Sequence, residues 1–518
     1  MTWQPNKLER ERLDKLERLQ QNGIDPFPGA VARTHTIEQA VAAFKVQEEN
    51  TAASSADPAA PLMVSVCGRI RSIRTGGKVC FADLEDGTGR VQLFIRVDAV
   101  GEAQYEMFRR DLDLFDYLQV DGQMMRTRSG EISVGVNQLK VLAKSLSPLP
   151  VVKTAEVDGQ TVTYGAFSDT EERFRQRYAD LASNAEVREI FRKRARTVSA
   201  VREFLDGEGF LEVETPILQP IYGGAAARPF TTFHNQLNQS LFLRISFELY
   251  LKRLLVGMYD SVYEIGRDFR NEGVSFKHNP EFTMLEWYKA YVDYTYSMTL
   301  CERLLSFVAQ KVNGSTQISY DGNLIELAPP WRRWRLRDAI REMSGIDYVE
   351  HPTAEQLEKA MREKGIELPP ELPWGKLIEK LLGDFVEPTL IQPTIIYDYP
   401  RDISPFAKSV PGDPMHVQRF EFYISGMEMG NAFTELNDPL DQEQRFVEIN
   451  KLFAEQEDDA APLDEDYLRA MRYGMPPNSG VGIGIDRLVM LLTDRHSIRE
   501  VLLYPHLRDK GRDEETEG

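Results

Sequence analysis

The stretch VYEIGRDFRNEGVSFKHNPEFTMLEWYKAY, residues 262–291, carries the pattern that decides the fold of the C-terminal part of this chain. Both of its arms alternate as strands do, so every second side chain shares a face. One face of the first arm carries Glu264, Asp268 and Arg270. One face of the returning arm carries Phe282, Met284, Glu286 and Tyr288. The pattern predicts an antiparallel hairpin closed by a polar loop over 271–280.

The polar residues of this hairpin suit an anionic, aromatic ligand. Arg270 at the loop entrance offers a planar fork of N–H donors to a phosphate, and Phe282 offers its ring face to a base. An ordinary hairpin with a solvated, charged loop shows the same alternation. These residues alone leave both interpretations open.

A second polar pattern is RFEFYISGMEMGNAFTEL, residues 419–436, in which Asn431, Phe433 and Glu435 share strand parity. Glu421 and Glu428 are candidate Mg²⁺ ligands, because hard cations take carboxylates together with substrate phosphates. Their numbering puts them on opposite faces of an unbroken strand, so joint action needs a turn or bulge near residues 425–426. The alternative is two exposed carboxylates without a shared role.

A third pattern is GVGIGIDRLVMLL, residues 480–492, which predicts a glycine-rich strand followed by a helix. Small residues let a ligand approach the backbone, and Arg487 is suited to grip a phosphate or to stack on a base. The alternative is an arginine paired with an acid at a strand–helix junction.

The composition is that of a globular protein, with 518 residues, 42% of them hydrophobic and 28% charged. A net charge of −19 excludes an overall basic coat and confines any nucleic-acid site to a local patch. Three cysteines do not make a disulfide framework, no apolar run is long enough to span a membrane, and the alternating charges of the first twenty residues are not those expected of a secretory leader. We therefore expect no membrane association and a cytoplasmic location.

Several familiar nucleotide and metal motifs are absent. The run Gly76-Gly77-Lys78 lacks the spacing of a Walker A loop, and Ile485 stands where a dinucleotide fingerprint needs its third glycine. The seven histidines are scattered, so a bound transition metal is not expected. If the chain binds ATP, it does so without a Walker A loop or a dinucleotide-binding fingerprint.

The chain is predicted to divide into three parts. Residues 1–61 form a helical extension and linker, whose amphipathic segment 5–21 either packs on its own protein or contacts RNA. Residues 62–150 carry five short strands separated by glycine turns, which fit a small closed barrel of the OB type. Residues 151–518 mix helices and strands. The predicted class is α+β.

In order and spacing, these stretches resemble the three motifs of class II aminoacyl-tRNA synthetases. Motif 1 corresponds to the helix and strand over 187–218, motif 2 to 262–291 and motif 3 to 480–492, with a helical insertion over 326–390. The N-terminal barrel resembles the anticodon-binding domain of the lysine, aspartate and asparagine subgroup. The segments most similar to the lysine-specific members are RYADL (177–181), FLEVETPIL (210–218), GGAAARPF (223–230), ELYLKRL (248–254), HNPEFTMLEWYKAY (278–291) and GNAFTELNDPLDQEQRF (430–446).

The resemblance implies a catalytic domain built on a mainly antiparallel sheet flanked by helices. It also implies an ATP- and Mg²⁺-dependent ligase that activates L-lysine and charges tRNA(Lys), with motif 1 forming a homodimer interface. By the resemblance, Arg270 and Arg487 are the catalytic residues that hold the α-phosphate and adenine. The other residues assigned to ATP are Glu272, His278, Asn279, Phe282 and Glu421, and those assigned to Mg²⁺ are Glu421 and Glu428.

The resemblance also assigns the amino-acid and anticodon contacts. Glu248 and Gly224 hold the α-amino group of lysine, and Glu435 meets the ε-ammonium. Further lysine contacts are Glu286, Tyr288, Asn431 and Phe433. The positions that match anticodon contacts are Arg74, Phe81, Gln92 and Glu131.

The acids of this set favour a cationic ligand independently of the resemblance. Buried carboxylates without a cation are costly, so Glu248, Glu286 and Glu435 suit lysine, whereas an aspartate pocket needs Arg or Lys. The alternatives are an aspartate or asparagine synthetase, a ligase that attaches a lysine-like amino acid to a protein, and a non-catalytic RNA-binding protein. One departure from the family pattern is Phe247, where many relatives have proline.

Overall fold

The computed structural model describes residues 3–53, 60–149, 153–157, 160–164, 169–225, 227–369, 372–455 and 463–508. The linker residues 54–59 and the predicted domain boundary at 150–151 lie outside the described residues. The chain divides into two compact units, Met1–Ser168 and Asp169–Gly518. No helix in the part of the chain that the structure describes has the length and apolar character needed to span a bilayer.

The first unit contains a closed five-stranded barrel. Its helices are α1 (Lys7–Gln21), α2 (Ile37–Ala53), α3 (Val97–Val100) and α4 (Glu102–Arg110). Its strands are β1 (Met63–Thr75), β2 (Val79–Glu85), β3 (Arg90–Arg96), β4 (Tyr117–Arg126), β5 (Ile132–Ala143), β6 (Lys153–Val157) and β7 (Gln160–Tyr164). The barrel closes in the order β1-β2-β3-β5-β4, while β6 and β7 pair with each other. The OB-type barrel is confirmed.

The alternation along β2 shows how the sequence builds this barrel. Cys80, Ala82 and Leu84 are fully buried in its interior, and the residues between them are partly exposed on the outside. Burial of every second residue gives the barrel an apolar interior and a polar outer face that is available for ligands.

Helix α1 packs on its own unit. Arg12 is 5% exposed and donates hydrogen bonds to the backbone oxygens of Ser145 (2.7 Å) and Leu114 (3.3 Å). Lys15 pairs with Asp113 at 2.6 Å. These contacts favour the simpler of the two interpretations of segment 5–21, because its basic residues already bind acceptors in the barrel unit.

The second unit is built around a large sheet. Its helices are α5 (Thr170–Arg175), α6 (Arg177–Ser183), α7 (Ala185–Gly207), α8 (Glu248–Val256), α9 (Tyr294–Asn313), α10 (Leu336–Ser344), α11 (Ala354–Glu363), α12 (Trp374–Leu381), α13 (Pro439–Glu455), α14 (Glu465–Arg472), α15 (Ile485–Thr493) and α16 (Ile498–Val501). Short 3₁₀ or π turns span Tyr348–Glu350, Leu382–Val386, Glu387–Thr389 and Arg401–Ile403.

The strands of the second unit are β8 (Leu211–Glu212), β9 (Leu218–Gln219), β10 (Thr231–His234), β11 (Gln239–Leu243), β12 (Ser261–Phe269), β13 (Glu281–Ala290), β14 (Gln317–Tyr320), β15 (Asn323–Glu326), β16 (Arg332–Arg335), β17 (Thr394–Pro400), β18 (Ser409–Val410), β19 (Asp413–Ile424), β20 (Met427–Thr434) and β21 (Asn478–Gly484). The main sheet runs β16-β17-β19-β20-β21-β13-β12-β8. Its pairs are antiparallel except at the two ends, which confirms the predicted α+β class.

One face of this sheet forms the core with α7, α9 and α15. Leu285 and Trp287 of β13 and Ile483 of β21 are fully buried there, packed in one cluster with Leu205 of α7 and Leu304 of α9. Because side chains alternate along a strand, the residues between them project from the opposite face. That opposite face carries the polar residues of the candidate site.

The structure differs from the sequence prediction in two places. The first is the stretch 210–219, in which only Leu211–Glu212 and Leu218–Gln219 are strands. The chain between these two strands is fixed by hydrogen bonds to a side chain instead of by pairing with a neighbouring strand. Thr215 donates its N–H and its hydroxyl to Glu264 Oε2, at 3.0 and 2.7 Å. The segment 326–390 is helical over α10–α12, but it also contributes β16, which pairs with β17 at the sheet edge.

Candidate active site

A polar row crosses the open face of the main sheet. Residues directly opposite one another in the register are Glu264, Glu286, Gly482, Asn431 and Glu421. Opposite residues of antiparallel strands point to the same face. The hairpin 262–291, the segment 419–436 and the glycine-rich strand therefore meet on one surface.

A second row, two residues further along each strand, consists of Tyr288, Gly480, Phe433 and Arg419. The glycines at the centre of the two rows, Gly480 and Gly482, leave a slot between the flanking side chains. A Cβ at position 480 would overlap the Tyr288 ring and Glu435 Oε1. Glycine is thus required for the slot to exist.

Helix α8 covers this slot with its first turn. Ser246 Oγ accepts the Glu248 N–H at 3.1 Å and donates to Glu286 Oε1 at 3.1 Å. Phe247, the departure from the family pattern, is fully buried against Leu251 of α8 and contributes packing at the point where the helix begins. Gly224, at φ +86°, lies beside Glu248.

Three carboxylates line the slot, and we call Glu248, Glu286 and Glu435 the acidic slot. Their exposed fractions are 6%, 6% and 0%. Tyr288 donates its hydroxyl to Glu286 Oε2 at 3.0 Å. Lys252, one turn after Glu248 on α8, forms ion pairs with Glu248 Oε1 at 2.5 Å and with Glu435 Oε2. The slot holds three acids and one base, so its formal charges leave an excess of negative charge.

Burial controls the ionisation of these carboxyl groups. It raises the pKa of Glu286 well above its ordinary value, as do the charges of Asp268 and Glu248. Burial also raises the pKa of Glu435 to about 8, while Lys252 opposes that shift and Glu248 adds to it. A cation that enters the slot favours the ionised carboxylates, because it replaces the lost solvation.

Arg270 lies at the end of this surface, next to Phe282. Its guanidinium carbon is 5.1 Å from the Phe282 ring centroid, and its Nε donates to Ile245 O at 3.4 Å. The cation and the aromatic ring are therefore adjacent, as an anionic, aromatic ligand requires.

The motif 2 loop places its predicted residues in different settings. His278 and Glu272 have exposed side chains, and partial desolvation of the His278 ring together with the charge of Arg487 lowers the pKa of His278. Asn279 is 5% exposed, donates to Glu281 O at 2.7 Å and accepts the His506 N–H at 3.2 Å. The Asn279 amide thus anchors the loop inside the protein.

A hairpin turn lies between Glu421 and Glu428, and this is the interruption that two residues of opposite strand parity need in order to act together. Ser425 and Gly426 have φ values of +53° and +68° and connect β19 to β20. The register shifts between Phe422 and Tyr423, so a bulge accompanies the turn. Arg487 Nη1 lies 3.2 Å from Glu428 Oε2, which brings motif 3 to the same acids.

The residues present at this turn fit Mg²⁺. Burial raises the pKa of Glu421, Arg419 opposes that shift, and the negative charge of Glu428 adds to it. Among the described residues, no cluster of three or more acid, His or Cys side chains forms a complete metal cage. Glu421 accepts hydrogen bonds from Arg419 at 2.6 Å and from Tyr399 at 2.8 Å, and Glu428 is partly exposed, so an ion held by these two carboxylates would take most of its ligands from water and phosphate.

The predicted anticodon residues share the outer surface of the barrel. The register aligns Arg74 with Phe81 and Phe81 with Phe94, whose ring centroids are 5.2 Å apart. Gln92 accepts a hydrogen bond from Ser133 Oγ at 3.0 Å, and Glu131 is exposed just before β5. Phe81 both packs on Phe94 and keeps part of its surface exposed. We call Arg74, Phe81, Gln92 and Glu131 the barrel face.

Sequence reasoning missed three buried bases, one inside the slot and two beside it. Lys252 pairs with two of its acids, Arg419 pairs with Glu421 at 2.6 Å, and Arg244 pairs with Glu264 at 2.5 Å. Two of them carry a local signal. Lys252 follows Glu248 by four residues on a helix, and Arg419 precedes Glu421 by two on a strand, so each pair shares a face.

Comparisons with known proteins match both units. The family described as tRNA synthetases class II (D, K and N) matches residues 169–508, and the family described as OB-fold nucleic acid binding domain matches residues 64–142. The first match covers more than half of the chain and contains the slot, Arg270 and Arg487. The chain therefore belongs to the class II tRNA synthetases of the aspartate, lysine and asparagine group.

Full-length relatives refine this assignment. A lysine–tRNA ligase of Chloroflexus aurantiacus is 48% identical over 507 residues, which cover 98% of this chain and 99% of the relative. A lysine–tRNA ligase of Roseiflexus castenholzii is 50% identical over 506 residues, with the same coverage. One from Moorella thermoacetica is 48% identical over 505 residues, 98% of each chain. Within its class, the chain belongs to the lysine–tRNA ligase family.

Proposed function

We propose that this protein is an ATP-dependent ligase that activates L-lysine as lysyl-adenylate and transfers the lysyl group to the 3′-terminal ribose of tRNA(Lys). The acidic slot is the observation that carries this proposal. Its three carboxylates exceed its one ammonium, so it favours a ligand with two cationic ends, and lysine has an α-ammonium and an ε-ammonium. An aspartate side chain would instead add a further negative charge to the slot.

The positions of the slot residues give each end of lysine a partner. Glu248, beside Gly224, holds the α-ammonium, and Glu435 receives the ε-ammonium with Tyr288 and Glu286. Asn431 and Phe433 line the path of the four-carbon stem. Phe433 supplies apolar contact, while Arg419 fixes the Asn431 amide by donating to its Oδ1 at 3.0 Å.

The chemistry requires orientation and charge stabilisation. The lysine carboxylate attacks the α-phosphorus of ATP, the new C–O–P linkage forms, and the bond to the pyrophosphate leaving group breaks. Arg270 donates to the α-phosphate and the carboxylate, and so offsets the charge that develops between them. Phe282 stacks on adenine, with Arg487 on the other face of the base.

The nucleotide site is completed by the motif 2 loop and the β19–β20 turn. His278 contacts the outer phosphates, Glu272 lies on the adenine side, and Asn279 keeps the loop in place. Glu421 and Glu428 would hold Mg²⁺, which supplies positive charge at the phosphate oxygens when bound.

The barrel face reads the anticodon of tRNA(Lys). A partly exposed Phe81 with Arg74 beside it suits a base that stacks on an aromatic ring and a cation, and Gln92 and Glu131 offer polar atoms to base edges. The local charge of Arg74 matters because the whole chain is acidic, with a net charge of −19.

The chain assembles as a homodimer through motif 1. Support comes from apolar side chains that β8, β9 and their connection leave exposed, since Leu211, Ile217 and Leu218 are 47%, 44% and 49% exposed. Sedimentation of the full chain tests this point, with a species of twice 59.2 kDa expected and a monomer at micromolar concentration contradicting it. The three unpaired cysteines suit a reducing, cytoplasmic location.

The whole reaction is tested by incubating the protein with radiolabelled lysine, ATP, Mg²⁺ and total tRNA. We expect acid-precipitable lysyl-tRNA with release of AMP and pyrophosphate. Label on a protein instead of on RNA would support the ligase that modifies proteins. Absence of both AMP formation and labelled RNA would support a non-catalytic RNA-binding protein.

A further inference from the structure

Lys252 lies wholly inside the acidic slot. Its side chain has an exposed fraction of 0%, and its Nζ pairs with Glu248 Oε1 at 2.5 Å and with Glu435 Oε2. The rings of Phe406 and Phe433 lie 4.8 and 5.5 Å from the same nitrogen. The Tyr288 ring lies 5.9 Å from it, so the ammonium is enclosed by two carboxylates and three aromatic rings.

These contacts explain how two buried carboxylates stay close together. Like charges in a dry site repel each other, and the Lys252 cation between them attracts both and opposes the rise that burial causes in the pKa of both carboxyl groups. Burial alone would lower the pKa of Lys252, but Glu248 and Glu435 raise it above its ordinary value, so the ammonium stays charged. A permanent cation at this point holds both acids.

The Lys252 ammonium also determines how much negative charge in the acidic slot is left for a ligand to neutralise. Glu248, Glu286 and Glu435 carry three formal negative charges, and Lys252 cancels one of them. The nearby Arg244 pairs with Glu264 at 2.5 Å and with Asp268 at 3.4 Å, so it is engaged by two carboxylates of its own and leaves no positive charge for the slot. When a cationic ligand enters and all three carboxyl groups are ionised, two negative charges remain after Lys252, and they equal in number the ammonium groups of lysine.

We infer that Lys252 is a positioning residue for amino-acid selection: it fixes Glu248 and Glu435 for the two ends of the ligand and leaves the slot two negative charges in excess. This inference rests on the proposed function. Lys252 acts through the two carboxylates, and its own amine does not contact the reacting atoms.

The test is Lys252→Met, which keeps the length and apolar stem and removes the charge. We expect the KM for lysine in ATP–pyrophosphate exchange to rise about 10- to 100-fold, while the KM for ATP changes by less than about twofold. The matched control is Arg253→Met. Arg253 is the next residue of α8 and pairs with Asp464 at 2.7 Å, away from the slot acids, so its lysine KM should stay within about twofold of the wild-type value.

A double variant separates positioning from general damage. If Lys252 acts through Glu435, then Lys252→Met should raise the lysine KM by less than about threefold when added to Glu435→Gln. Effects that multiply in the double variant would overturn the inference, as would an unchanged lysine KM in Lys252→Met. Should Lys252→Met fail to fold, Lys252→Gln is judged by the same two criteria. Wild-type protein that shows no lysine-dependent exchange at all would refute the proposed function itself.

Discussion

The acidic slot and the barrel face are the two surfaces that we propose to bind lysine and the anticodon, and they differ in how far their residues are from water. Glu435 and Lys252 in the slot are 0% exposed, and each polar group there depends on a neighbour. On the barrel face, Arg74 and Glu131 are exposed and Phe81 is partly exposed. A buried site is selective because only a ligand of the opposite charge can neutralise its unpaired charges. An exposed face gains its affinity from base stacking and from charge contacts that solvent and salt weaken.

This difference predicts that changes in the catalytic unit are severe and specific to amino-acid activation. Arg270→Ala should lower the rate of ATP–pyrophosphate exchange about 100- to 1000-fold, because a donor aimed at developing charge is lost. The matched control is Arg267→Ala on β12, three residues before Arg270, whose side chain is 42% exposed and lies 3.7 Å from Glu281. Equal losses in the two variants would contradict the role of Arg270.

The second-largest effect of a substitution is expected at Glu435, in the acidic slot. Glu435→Gln removes a fully buried charge without changing shape, so the KM for lysine should rise about 100-fold while the KM for ATP stays nearly unchanged. Glu281→Gln, at a carboxylate that is 37% exposed, serves as the control in the same assay. A matching rise in the KM for ATP would show that Glu435 supports the whole site instead of the amino acid.

The raised pKa of Glu435 predicts that lysine binding in the acidic slot depends on pH, which the exposed barrel face does not share. Below its pKa of about 8 the carboxyl group is protonated in the empty slot, and a cationic ligand must displace that proton. The lysine KM should therefore fall as pH rises, by at most about tenfold per unit below pH 8, and level off above it. The groups that face Glu435 are Lys252, Glu248, Tyr288 and Tyr467.

Measurement of exchange at saturating ATP from pH 6 to pH 9 checks this dependence. Glu435→Gln has no carboxyl group to titrate, so its lysine KM should lose most of the slope. A KM for lysine that rises with pH in the wild-type protein is the opposite of what the buried carboxylates require.

The smallest of these effects belongs to the barrel face. Phe81→Ala should lower kcat/KM for tRNA charging about tenfold, because one stacked base loses its ring, and should leave exchange without tRNA unchanged. Tyr117→Ala removes another exposed ring of the same barrel, 4.5 Å from Arg69, and is the control. Unchanged charging in Phe81→Ala would mean that the ring serves only cross-strand packing with Phe94.

Alternation along strands made much of the site predictable. Period-two patterns placed Glu286 with Tyr288 and Asn431 with Phe433, and the structure has both pairs on one face of the sheet. These patterns depend only on local geometry, so they need no knowledge of which strands pair. The resemblance added the roles of the residues, which no local pattern contains.

Features that depend on contacts between distant segments were not predictable in the same way. Helical spacing places Glu248 and Lys252 on one side of α8, but it does not show that this side faces Glu435. The stretch 210–218 has the composition of a strand, yet Thr215 is bound by Glu264 of another segment, and the ladder ends. Tertiary contacts decided both outcomes.

Amino-acid-dependent ATP–pyrophosphate exchange with each of the twenty amino acids, in Mg²⁺ and without tRNA, tests the central role of the acidic slot most directly. We predict exchange with lysine and with no other amino acid, since only lysine brings two ammonium groups and a stem of the required length. Exchange with aspartate or asparagine instead of lysine would keep the fold and contradict the charge argument for the slot.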